Sequence, residues 1–137
     1  MCKLIGLMIV GALLCFGQVA SAGPYEDGEA AYIRGDGYSA MLKWRPLAEG
    51  GNAEASYRLG FLFSQGRGPS VPSDQREARR WWHLAVEQGH VKAPVELSRS
   101  YFFGVGFPPT RDAKEAVRWS RVAVLKGVPE QTYCPAP

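Results

Sequence analysis

The chain has 137 residues, a net charge of +3 and 46% hydrophobic residues, which is material for one folded domain. Its charges of both signs are interspersed; Arg76, Arg79 and Arg80 make only a small patch, read as a solvated helix face rather than the basic stripe that nucleic acid requires. Only three cysteines are present, too few for the class of small domains stapled by disulfides.

The first segment is a predicted secretory signal peptide. Met1 to Lys3 is short and positive, Leu4 to Phe16 is an apolar run, and Ala20-Ser21-Ala22 is a small-x-small cleavage site. The apolar run is shorter than the roughly 20 residues of a membrane-spanning helix. A lipoprotein signal is disfavoured because Leu14 precedes Cys15 where that signal requires a small residue. The expected organisation is residues 1–22 as signal, 23–128 as a folded solenoid and 129–137 as a tail, with the protein periplasmic or secreted. Cleavage after Ala22 removes Cys2, Cys15 and Lys3, leaving a net charge of +2 and a single cysteine, Cys134. A lone thiol in an oxidising compartment is either free or paired to another chain.

Next along the chain, "DGEAAYIRG" reads as a short helix ending at Gly35, followed by a degenerate unit at 37–52 carrying Trp44 and Ala48. The W-x-x-x-A spacing matches Trp44 to Trp81 and Trp119. Pro46 lies inside the expected helix and should kink it, since it has no backbone donor. Arg34-Gly35-Asp36 spells an integrin-ligand motif, but a Gly-Asp helix stop explains it better.

Residues 53–90 and 91–128 then align without a gap at an interval of 38. The identities are Ala55/Ala93, Leu59/Leu97, Gly66/Gly104, Gly68/Gly106, Asp74/Asp112 and Glu77/Glu115. They continue as Ala78/Ala116, Arg80/Arg118, Trp81/Trp119, Ala85/Ala123, Val86/Val124 and Gly89/Gly127. Each unit parses as two helices. Ala55, Leu59, Leu62 and Phe63 fall on one helical face, and Gly66 supplies the stop. Asp74 with Glu77 three residues later predicts a capping-box start, and Ala78, Trp81, Trp82, Ala85 and Val86 form the next face up to Gly89. The fold expected is all-α: an α/α solenoid of about two and a half stacked helical hairpins. Small alanines let helices approach, and the repeated Trp fills the space between hairpins.

These residues resemble a known family. The run A-x-x-x-L-G, G-x-G, D-x-x-x-A-x-x-W-x-x-x-A and E-Q-G, at Ala55, Leu59, Gly60, Gly66, Gly68, Asp74, Ala78, Trp81, Ala85, Glu87, Gln88 and Gly89, is similar to the Sel-one-like repeat (SLR), a relative of the tetratricopeptide solenoids. The second unit departs from the motif at Ser98, which stands where Gly60 does, and at Leu125-Lys126, where Glu-Gln is expected. The resemblance implies a solenoid whose concave face binds partners, usually proteins, as an adaptor. In bacteria, exported relatives act around the envelope.

Motifs for catalysis are absent. His83 and His90 are the two histidines, H-E-x-x-H and S-x-x-K do not occur, and the G-x-G pairs follow helices rather than strands. His90 reads as a polar turn residue. Asp74/Glu77 and Asp112/Glu115 sit at helix starts, where capping accounts for them. No cofactor and no metal is implied, and the chain reads as a non-catalytic protein–protein interaction module of the envelope, with unidentified protein partners, no nucleic acid and no membrane span after signal cleavage.

Candidate contact residues are those the core does not claim: Tyr57, Arg58 and Phe61, with Arg99, Phe102 and Phe103, because aromatic residues and Arg dominate interface energetics. Trp82, matched to the polar Arg45 and Ser120, is either a contact residue or a cap on the long loop. The alternative function is a cell-wall or polysaccharide protein that binds or hydrolyses glycan through the loops at 66–73 and 104–111, where Phe107 would stack on sugar. Self-association is a further expectation, through an end left uncovered at Val117, Val122 and Leu125 or through Cys134.

Overall fold

The structure, a computed structural model, describes residues 22–104 and 111–129. The leader, Gly106, Phe107 and Cys134 lie outside the described residues, as does most of the second long loop. Six helices and no strand occur among the described residues: α1 (Pro24–Ile33), α2 (Gly37–Glu49), α3 (Ala53–Gln65), α4 (Gln75–Glu87), α5 (Ala93–Phe103) and α6 (Ala113–Leu125). Each helix packs on its neighbours in sequence, giving three antiparallel hairpins stacked side by side. The degenerate leading unit is thus a full hairpin, with a short α1 and a connection of Arg34 to Asp36. That connection uses Gly35 at φ 83° and Asp36 as the cap of α2, so the Arg-Gly-Asp run is consumed in a turn.

The second helix of every hairpin starts and stops in the same way. Asp74 Oδ1 accepts from the amides of Arg76 and Glu77 at 2.9 and 3.0 Å, and Asp112 Oδ1 accepts from Lys114 and Glu115 at 3.0 and 3.1 Å. Asp36 accepts from Ser39 at 3.0 Å. The expected capping box forms only in this half. The amides of Asp74 and Asp112 donate instead to the carbonyls of Phe63 and Tyr101, at 2.8 and 3.1 Å, so each clasps the end of its hairpin's first helix. Glu77 and Glu115 turn outward to Arg80 and Arg118. At the other end, Gly51, Gly89 and Gly127 have φ values of 101°, 93° and 83°, a left-handed backbone that a side chain would strain. α2 continues through Pro46, and Leu42, whose carbonyl forgoes the missing amide, is exposed.

These caps and turns set the register of α2, α4 and α6, and it corrects the matching of the tryptophans. Asp36, Asp74 and Asp112 stand 38 apart, as do Gly51, Gly89 and Gly127. Trp44 therefore corresponds to Trp82 and Ser120, while Trp81 corresponds to Lys43 and Trp119. The W-x-x-x-A spacing is off by one residue, which on a helix is a rotation of about 100°.

The two faces of that rotation are different parts of the core. Trp44 is fully buried and Trp82 is 3% exposed; each lies against a glycine of its hairpin's first helix, Gly28 and Gly60, where an added Cβ would overlap the indole. In the third hairpin the corresponding pair is Ser98 and Ser120, and the Ser98 hydroxyl donates to the Ala116 carbonyl at 2.9 Å. Trp81 faces the other way, into a cluster with Ala31, Ala40, Trp44 and Ala48 from the hairpin before and Ala55, Leu59 and Leu62 of α3. Trp119, half-buried, faces back to α4 and meets the ring of His83 edge-on at 4.9 Å. Lys43, in the same register, instead pairs with Asp27 of its own hairpin at 3.6 Å.

Small residues line the helix contacts. Ala55, Ala78, Ala85, Ala93, Ala116 and Ala123 are all buried. Leu59, Leu62 and Leu97 complete the apolar interior, and Gly66 and Gly104 end α3 and α5 with positive φ. The loop after α3 belongs to the core as well. Val71 is 1% exposed, held by a hydrogen bond from the Arg67 amide to its carbonyl at 2.8 Å, and Arg67 lies over the Tyr32 ring of the preceding hairpin. Arg79, expected on a solvated face, is half-buried, with its guanidinium over the Tyr101 ring and donating to the Ser100 carbonyl at 3.2 Å.

Candidate functional site

The first helices α3 and α5 carry all the candidate contact residues but Trp82, and the structure separates these into groups with different surroundings. Trp82 is buried among Ala78, Leu97, Phe61 and Trp119, so the assignment as a contact residue is corrected: its ring is interior packing in the register of Trp44. Phe61 packs edge-on against Trp82 with centroids 5.6 Å apart. Tyr57 meets Phe61 edge-on at 4.9 Å and stacks on His90 at 4.0 Å. The result is a ladder of rings, His90, Tyr57, Phe61 and Trp82, running from the turn between hairpins into the core.

Arg58 is engaged in a polar knot between the first two hairpins. Its Nε lies 3.0 Å from Glu29, 3.2 Å from Glu54 and 3.2 Å from the Tyr25 hydroxyl. His90 Nε2 closes the knot against Glu54 at 2.9 Å. His90 is therefore far from a plain polar turn residue: its side chain is 10% exposed. Burial works against ionisation of Glu54, but the hydrogen bond from His90, its charge and that of Arg58 outweigh it and hold the carboxyl below its ordinary value.

The same place between the second and third hairpins is built differently. At the interval of 38, Glu54 becomes Lys92, Tyr57 becomes Val95, Arg58 becomes Glu96 and His90 becomes Val128. Among the described residues no ring takes the place of His90, and a pocket of about 390 Å³ remains, walled by Tyr57, Val91, Val95, Val128 and Pro129 with Lys92, Glu96 and Lys126 around it. Burial, with the nearby charges of Glu96 and Glu54, pushes the Tyr57 hydroxyl up to about 12. Burial also raises Glu96, against the opposing charge of Arg99 at 3.5 Å.

Phe102 and Phe103 form a separate surface group at the end of α5. They are 39% and 59% exposed, meet edge-on at 5.2 Å, and the Arg111 guanidinium lies over Phe102 while its Nε donates to the Phe102 carbonyl at 2.9 Å. Arg99 is exposed on the same helix. A second groove, of about 480 Å³, runs between α2 and α4, lined by Arg45, Glu49, Glu77, Arg80, Trp81 and Leu84. Among the described residues no three His, Cys, Asp or Glu side chains gather as metal ligands, and no helix is long and apolar enough to cross a membrane.

Sequence reasoning missed the pocket and the knot. His90 carried a signal only through its register partner Val128, and Lys92 through Glu54.

Stacked helical hairpins with a repeat of 38 residues, paired interior alanines and an indole handed back to the preceding hairpin define an α/α solenoid of the repeat-protein class. The family model of the Sel1 repeat matches residues 53–90 and 95–128, together just over half of the chain, and the chain belongs to the Sel1 repeat family. No curated protein and no solved structure matches it. Sel1 repeats generally mediate protein–protein interaction and are typically non-catalytic.

Proposed function

We propose that this protein is exported by a signal peptide cleaved after Ala22 and serves in the bacterial envelope as a non-catalytic adaptor that binds a protein partner along its first-helix face. The observation that carries this reading is Tyr57, half-buried on a ladder of rings yet lining an open apolar pocket beside Lys92 and Lys126. Aromatic side chains that are rigidly supported and partly exposed make strong interface anchors, because little further freedom is lost on binding. The exposed Phe102–Phe103 pair extends the same helix set.

Residues 23–137 used as cross-linking bait on envelope extracts are expected to capture a specific protein. Tyr57→Ala should lose it while keeping the melting temperature within a few degrees. Capture unchanged in Tyr57→Ala and in Phe103→Ser overturns the assignment of the face. Sedimentation with isolated wall material in the absence of protein would favour glycan binding instead. For export, the protein recovered from the producing cell is expected to begin at Gly23; a soluble cytoplasmic chain retaining Met1 overturns it.

A further inference from the structure

The two corners between hairpins use the same backbone positions for opposite ends. In the first, Glu54, Arg58, Tyr25 and His90 Nε2 are joined by hydrogen bonds and ion pairs. In the second, Val128 replaces the His90 ring and Lys92 replaces the Glu54 carboxylate. The corner is left with apolar walls, and neither the Lys92 nor the Lys126 ammonium has an ion-pair partner among the described residues. Cations lining the corner outnumber anions: Lys92 and Lys126 stand against Glu96, which Arg99 engages from outside the pocket at 3.5 Å.

We infer that the corner between α3, α5 and the segment after α6 is the docking site for an acidic segment of a partner protein, one apolar side chain entering between Tyr57, Val95 and Val128 while flanking carboxylates meet Lys92 and Lys126. A volume of about 390 Å³ suits one or two side chains rather than a folded element. The partner's carboxylate takes up the charge that Glu54 supplies from within the chain at the first corner. The walls reward the apolar side chain by removing it from water, and the lysines select sign and raise the rate of encounter. A basic segment of the same length meets like charge at both rims and is rejected.

This inference rests on the reading of the chain as a protein-binding module and is tested separately from it. A fluorescein-labelled peptide of sequence Gly-Asp-Leu-Glu-Gly is titrated with residues 23–137 and followed by polarisation. Saturable binding is expected, weakening by about tenfold or more in the Lys92→Glu/Lys126→Glu variant and weakening with added salt. Gly-Asp-Gly-Glu-Gly, without the apolar side chain, and Gly-Lys-Leu-Lys-Gly, with the charge reversed, are both expected to bind at least about tenfold more weakly. Equal binding of the basic peptide, or no effect of the double substitution, overturns the inference. So does binding that appears only when residues 130–137 are deleted, which would assign the corner to the chain's own tail. Self-association abolished by Lys92→Glu would assign it to a second copy and overturn it equally. A partner captured from the envelope through Tyr57 and indifferent to the two lysines would remove this inference and leave the adaptor reading standing.

Discussion

The backbone of Gly60 lies directly on the indole of Trp82, leaving no room for a methyl group between α3 and α4. Gly28 and Trp44 repeat the arrangement in the first hairpin, and Ser98 with Ser120 replaces both members in the third. Glycine and tryptophan are thus two halves of one packing unit.

That coupling is measurable. Alanine at an ordinary helical glycine gains about 1 kcal/mol, but here overpacking costs about 1–3 kcal/mol and reverses the sign or cancels it. Gly60→Ala is expected to destabilise the protein, and the same change in a Trp82→Ala background to be neutral or stabilising. Chemical denaturation of the four proteins in this cycle reads the coupling directly. Additive effects would show that ring and glycine do not interact.

Both tryptophans of the pair should matter for folding. Trp81 and Trp82 are 8% and 3% exposed, in different clusters. Truncating either to alanine is expected to cost about 3–5 kcal/mol, read from the denaturation midpoint. A loss below about 1 kcal/mol for Trp82 would return it to the surface.

Acid sensitivity near neutral pH is predicted to trace to His83. Burial beside Trp119 holds its imidazole below the ordinary value of 6.5, with Glu87 and Glu115 opposing and Arg118 and Arg79 reinforcing. As pH falls through 6.5 the unfolded chain takes up the proton first, so stability declines from there down through the lowered folded value. Above 6.5 the site contributes no slope. The fall in melting temperature between about pH 7.5 and about pH 5.5 should be smaller in His83→Gln than in the parent. Identical falls would contradict the assignment. Glu54, held low, acts only in the carboxylate range below 4.5 and does not overlap this window.

The repeat, the aspartate caps and the glycine turns were legible because they recur at a fixed interval and act on their own backbone. The family resemblance rests on the same residues. What failed was register inside a helix: the W-x-x-x-A spacing places Trp44 over Trp81, since Val86 and not alanine stands four residues after Trp82, and only the cap-to-cap distance shows the match to Trp82. Val71 and His90 were illegible for another reason. Each sits in a polar or turn-rich stretch, and its burial comes from residues distant in sequence, Tyr57 and Glu54 in the case of His90, that no local pattern reports. The pocket was harder still, since it exists where Val128 fails to supply the ring that His90 supplies.

The two serines of the third hairpin bear on the order in which the molecule comes apart. Exchanging a buried indole for a hydroxyl forgoes roughly 150–250 Å² of ring burial, a gross difference of roughly 4–6 kcal/mol. In an array held by nearest-neighbour contacts, that deficit falls on one hairpin rather than on the whole. The pair α5–α6 is therefore expected to loosen first, and it also forms one wall of the corner beside Lys92 and Val128. A segment seated in that corner would tie down the weakest link of the chain, so occupancy and the integrity of this end rise and fall together.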